Sequence, residues 1–130
     1  MKQVNWGIIG LGKIAEQFAE AFKFSENAKL LAISSRDLKK IINFKDRFKI
    51  EEKYCFSSYE KLLLCKDVDI VYIALPNSLH YNWIINSIKS KKRILVEKPA
   101  TINFKEIEDI KKVYSNNIFF AEAFMYIYHP

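Results

Sequence analysis

Lys98 stands in Glu97-Lys98-Pro99, directly after the apolar run Arg93–Val96. An ammonium held at the mouth of a strand can polarise a carbonyl or share a proton with a hydroxyl. Pro99 fixes the exit of the chain and biases Lys98 toward an extended backbone. Taken alone, a Lys-Pro pair is a solvated loop. A second set, Asn77 and His80, follows another apolar run in Ala74-Leu75-Pro76-Asn77-Ser78-Leu79-His80. Here an amide and an imidazole could meet a polar ligand, or could be a turn residue and a partly exposed helix residue. A third set is Ser34-Ser35-Arg36-Asp37. Its hydroxyls and guanidinium suit a phosphate; alternatively a serine caps the next helix and Arg36 is solvated.

A glycine turn supplies a ligand that could connect the three sets. The apolar stretch Val4–Ile9 runs into Gly10-x-Gly12-x-x-Ala15, and a helical pattern begins at once near Lys13. Gly10 permits a tight turn out of the strand, Gly12 lets backbone approach a pyrophosphate, and Ala15 lets the helix pack closely on the strand. The pyrophosphate would rest on the free N–H groups and positive end of that helix. In such sites an acidic residue at the end of the second strand binds the ribose of NAD, and a cation replaces it for NADP. Ser35 holds that position, followed by Arg36, with Lys39 and Lys40 one turn on. This favours NADP(H), while Asp37 leaves NAD(H) open.

The elements that must position these groups alternate. Strands are expected at Val4–Ile9, Lys29–Ser34, Tyr54–Phe56, Asp69–Leu75, Arg93–Val96 and from Ile118 to Ala121. Helices are expected at Lys13–Phe24, with Ile14, Phe18 and Phe22 on one face, and at Leu38–Phe48. A third opens with the capping box Ser57-x-x-Glu60 and ends near Cys65. A fourth carries the stripe Tyr81, Ile84, Ile85 and Ile88, and a fifth runs from the capping box Asn103-x-x-Glu106 to Tyr114. Alternation with short loops predicts an α/β fold, a doubly wound parallel sheet of the Rossmann type, with ligands outside the carboxyl ends of the strands.

Composition narrows the class. The chain has 130 residues, half of them hydrophobic, enough for one domain with a real core. No apolar run reaches the length of a membrane span, and the start leads straight into a strand, so a soluble cytoplasmic protein is expected. The net charge is +6, but it is mostly scattered lysine, and only Lys89, Lys91, Lys92 and Arg93 cluster, at a helix end that suits cations. Nucleic acid is therefore not the expected partner. Cys55 and Cys65 match no metal or redox spacing and are expected to be buried, reduced thiols. With His80 and His129 as the only histidines, no metal site is expected. The abundance of Lys, Ile, Asn and Phe looks like the bias of an AT-rich bacterial genome.

Taken together, Gly10-x-Gly12-x-x-Ala15, Ala74-Leu75-Pro76-Asn77-x-x-His80, Glu97-Lys98-Pro99 and Glu122-Ala123-Phe124-Met125-Tyr126 resemble the glucose–fructose oxidoreductase/inositol dehydrogenase family in order and spacing along the whole chain. The ending Glu122–Pro130 is most similar to the dihydrodiol dehydrogenase branch, which tends toward NADP. The resemblance implies an oxidoreductase that moves a hydride between a nicotinamide cofactor and a sugar, cyclitol or dihydrodiol-type alcohol. It implies a catalytic Lys98 that also touches cofactor. It further implies cofactor contacts at Gly10, Gly12, Lys13, Ile14 and Ala15, at Ser35 and Arg36, and at Leu75, Asn77 and His80, with Glu97 near the nicotinamide ribose and Glu122 on the floor of the site.

Ile127 replaces the arginine common in that branch, and the family's second α+β domain, with most of the substrate pocket, would follow His129-Pro130. The expectation is therefore a dinucleotide-binding domain over residues 1–130 that does not turn over by itself. The alternative is a stand-alone NADPH-binding module without catalysis. The apolar stretch Phe119–Tyr128 is expected to drive self-association.

Overall fold

The computed structural model describes residues 2–125. Six parallel strands form one sheet: β1 (Val4–Ile9), β2 (Ala28–Ser34), β3 (Cys55–Phe56), β4 (Ile70–Ile73), β5 (Arg93–Val96) and β6 (Phe120–Glu122). Their order across the sheet is β3-β2-β1-β4-β5-β6, the doubly wound arrangement that the alternation predicts. The order reverses between β1 and β4, so the crevice at the sheet's carboxyl edge opens where the Gly10 turn meets the exit of β4.

Helices cover both faces. On one side α1 (Lys13–Ala21) and α2 (Leu38–Phe48) pack through Ala15, Ala19, Ile41 and Phe44 onto Ile8, Ile33 and Tyr72. On the other, α3 (Tyr59–Leu64), α4 (Asn77–Lys89) and α5 (Phe104–Val113) pack through Leu62, Trp83, Ile84 and Ile110 onto Ile9, Val71, Ile73 and Val96. The central strands are buried on both faces, which is why they read as near-continuous apolar runs. Gly7 in β1 belongs to this packing, because a Cβ there would lie 2.9 Å from the Leu62 Cδ2 methyl.

Several boundaries differ from the sequence expectation. The first helix gives way after Ala21 to a tighter turn over Phe22–Phe24, closed by the Ser25 N–H to the Phe22 carbonyl at 3.1 Å. That turn holds Phe22 edge-on to Trp6 and Phe18. Ser58, not Ser57, caps α3, accepting from the Lys61 N–H at 3.3 Å. β4 stops at Ile73 rather than Leu75, and β6 is shifted to Phe120–Glu122. Asn103 caps α5 as expected, accepting from the Glu106 N–H at 3.0 Å, while the Glu106 carboxylate reaches one residue past the cap to the Ile102 N–H at 2.9 Å. Cys55 and Cys65 are half-buried free thiols rather than fully buried ones. No helix among the described residues is long and apolar enough to cross a membrane.

Candidate functional site

Two glycines in one turn do different work. Gly10 has φ +92°, and a Cβ on it would fall 2.7 Å from both the Ala74 carbonyl oxygen and the Leu75 Cδ2 methyl. Glycine is required there by the backbone and by the close approach of the β1 and β4 exits. Gly12 has φ −89° and ψ −171°, a conformation open to any residue, and a Cβ on it would meet nothing within 4 Å. The space above Gly12 is thus left by the protein without being needed by it. Gly12 is also the N-cap of α1 and provides no side-chain cap. The helix's own bonding begins with the Glu16 N–H to the Gly12 carbonyl at 3.1 Å. The amides of Lys13, Ile14 and Ala15 therefore have no acceptor within the helix. Ala15 is fully buried against β1, so the helix start is held close to the sheet. Open space over unpaired amides at the positive end of a helix fits a phosphate group.

At the end of β2, Ser35 is buried, and its hydroxyl accepts from the Asp37 N–H at 3.1 Å. Neither serine caps α2. Asp37 does, with its Oδ1 accepting from the Lys39 and Lys40 amides at 2.9 and 3.4 Å. The carboxylate is thereby turned onto the helix's own N–H groups. Arg36 is exposed, with its guanidinium 5.4 Å from the centre of the Tyr59 ring. Tyr59 is itself buried edge-on against Trp83, at 4.9 Å between ring centres. The strand end presents a cation on a rigid aromatic shelf.

The exits of β4 and β5 are tied together by His80. The imidazole is fully buried, with Nδ1 2.7 Å from the Pro99 carbonyl oxygen and Nε2 2.7 Å from the Leu75 carbonyl oxygen. The alternative reading of His80 as a partly exposed helix residue is corrected by this burial. Both ring nitrogens face protein carbonyls, so the ring braces two loops. A neutral ring donates from one nitrogen and a charged ring from both. Asn77, by contrast, is exposed at the first turn of α4, and Lys98 is exposed beside a cis Lys98–Pro99 peptide.

Glu97 and Glu122 flank this loop from opposite faces of the sheet. Glu122 pairs in register with Val96, and its Oε2 accepts from the Ala100 N–H at 3.2 Å. It also lines an apolar cavity of about 380 Å³ with Ala100, Ile107, Ile110, Tyr114 and Phe120. In this chain the group that Glu122 meets is thus the backbone of the loop after Pro99. Glu97 lies on the α1 side, where the Tyr72 hydroxyl donates a short hydrogen bond to its Oε1. Burial, and then that hydrogen bond, push the Tyr72 phenol well above its usual range, so it stays a donor. Sequence reading assigns Tyr72 only to a buried strand. The available signal is parity: a lone phenol in an apolar run, on the same sheet face as Glu97. The expectations on Tyr126, Ile127, Tyr128, His129 and Pro130 lie outside the described residues.

The model of the oxidoreductase family with an NAD-binding Rossmann fold matches residues 4–117. The chain is 31% identical over 129 residues to the trans-1,2-dihydrobenzene-1,2-diol dehydrogenase of Xenopus tropicalis, covering 97% of this chain and 38% of that protein. Among solved structures it is similar to a 3-ketoreductase from Actinomadura kijaniata in complex with NADP and TDP-benzene. The TM-score is 0.90 at 31% identity, over 99% of this chain and 39% of that one. It is also similar to the apo scyllo-inositol dehydrogenase of Lactobacillus casei, with a TM-score of 0.89 at 25% identity, over 98% of this chain and 38% of that one.

Proposed function

The chain belongs to the glucose–fructose oxidoreductase/inositol dehydrogenase family, oxidoreductases with an NAD-binding Rossmann fold, and on that premise we propose that it is the NADP(H)-binding unit of an oxidoreductase acting on a sugar, cyclitol or dihydrodiol-type alcohol. The observation that carries this reading is the contrast between the glycines: Gly10 is demanded by the protein, whereas a Cβ on Gly12 would meet nothing within 4 Å. Gly12 and the amides of Lys13, Ile14 and Ala15 hold the pyrophosphate. Arg36 on its Tyr59 shelf meets the 2′-phosphate, with Ser35 shaping the strand end. Gly10 and Leu75 form the wall between the two halves of the crevice, and Asn77 hydrogen-bonds a ribose.

A bound nicotinamide dinucleotide supplies the hydride donor or acceptor. Lys98 Nζ, at the carboxyl edge of β5, holds the proton of the substrate hydroxyl. Glu97 accepts from the nicotinamide ribose. His80 and Glu122 keep the loop carrying Lys98 in place through Pro99 and Ala100. The chain spans 38% of the length of the dihydrodiol dehydrogenase that it matches. In our reading these 130 residues bind cofactor without turning over substrate alone, and self-associate through Phe119–Tyr128. Two free thiols and nicotinamide chemistry suit the cytoplasm.

Calorimetric titration with NADPH and NADH tests the reading. NADPH should bind more tightly, and Arg36→Ala should narrow the gap about tenfold, the effect of one charge-assisted contact. Equal affinities in the parent chain, or tighter NADH, would contradict the cofactor assignment.

A further inference from the structure

We propose that Tyr72 is a positioning residue for the nicotinamide half of the cofactor, acting through its hydrogen bond to Glu97. The inference rests on the cofactor reading above and adds a residue to it.

Tyr72 lies in the middle of β4 with 1% of its surface exposed. It is the one polar side chain in Ile70-Val71-Tyr72-Ile73-Ala74-Leu75. Its ring packs on Phe18 of α1 at 4.0 Å between centres, a contact that phenylalanine would make equally well. The hydroxyl is the part that packing does not explain. A buried phenol needs a partner, and a backbone carbonyl would satisfy it. Here it reaches a carboxylate at the edge of the crevice. The β4–β5 register pairs Ile73 with Val96, so Glu97 sits beside Ala74 on the same face as Tyr72. The Glu97 N–H is held by the Ile73 carbonyl at 3.0 Å. Backbone and carboxylate are thus both anchored to the same strand. The bond occupies Oε1 and leaves Oε2 of this half-buried carboxylate, at the carboxyl end of β5, with no hydrogen bond among the described residues. A preoriented acceptor loses less freedom on binding a hydroxyl than a rotating one.

The experiment compares two probes on the full chain: NADPH, followed by emission of the bound dihydronicotinamide, and adenosine 2′,5′-bisphosphate, which lacks the nicotinamide half. Tyr72→Phe should weaken NADPH about tenfold and leave the bisphosphate unchanged. In a Glu97→Ala background, Tyr72→Phe should have no further effect on NADPH. Equal NADPH affinity in parent and Tyr72→Phe overturns the proposal. So does a parallel loss for both probes, which would mark a general structural role, and so does an undiminished effect in the Glu97→Ala background. If the parent chain binds neither probe, the cofactor reading itself fails and this inference falls with it. Binding of both probes without the expected split refutes the inference alone.

Discussion

The buried ring of His80 lies 2.7 Å from the carbonyl oxygen of Pro99, nineteen residues further along the chain, and equally close to that of Leu75. One side chain thereby couples the loop that ends β4 to the loop that carries Lys98. His80→Ala would remove the ring that bridges the Leu75 and Pro99 carbonyls, deprive the carbonyl it bonds of its donor, and open a cavity. Each effect costs about 1–3 kcal/mol. The substitution should lower stability by about 3 kcal/mol in urea unfolding. A loss below about 1 kcal/mol would show that water replaces the ring at no cost.

The two glycines should separate folding from binding. Gly10→Ala places a Cβ against backbone at positive φ and should destabilise the chain by at least about 2 kcal/mol. Gly12→Val should lower the unfolding free energy by no more than about 1 kcal/mol, the cost of a poorer N-cap, since its Cβ meets nothing, yet abolish dinucleotide binding. Retained affinity in Gly12→Val, measured by calorimetry, would show that the pyrophosphate does not approach there.

Alkaline pH should weaken the fold through Tyr72. Burial first, and then the Glu97 hydrogen bond, raise this phenol above the ordinary tyrosine value of about 10. Below that pH the proton is bound in folded and unfolded chains alike, and the contribution is complete. Above it the unfolded chain releases the proton first, so stability falls as pH rises, by at most about 1.4 kcal/mol per pH unit for one group. Between about pH 10 and 11 the parent should lose more stability than Tyr72→Phe. Superimposable pH profiles for the two proteins would show that folding does not hold this proton.

Phe119 and Met125, 54% and 74% exposed, place apolar surface at the β6 edge of the sheet. Covering about 400 Å² would contribute on the order of 10 kcal/mol before the costs of association. Sedimentation velocity at micromolar concentration should show species heavier than the 15.3 kDa monomer. Phe119→Ser with Met125→Ser should shift them back. A clean monomer for the parent chain would remove this surface from the account.

What is local in this protein is legible in its residues. Alternating strand and helix periods determine the layers. The glycine turn determines where β1 passes into α1, and Pro76 marks the start of α4 at Asn77. The Asn103–Glu106 spacing is enough to place a cap, because donor and acceptor lie within one turn. Tertiary structure decided the rest, for a reason that recurs. Where neighbouring groups compete for one local role, such as Ser57 with Ser58 or Ser35 with Asp37, the cap is the one whose side chain meets the first free amides of the helix, Ser58 and Asp37 here. Contacts between distant positions have no period to betray them. Tyr72 to Glu97 spans 25 residues and Glu122 to Ala100 spans 22, and both depend on strand register across the sheet. His80, for which the sequence allows a partly exposed helix position, is an interior brace because β4 and β5, adjacent in space, bring two carbonyls to one ring.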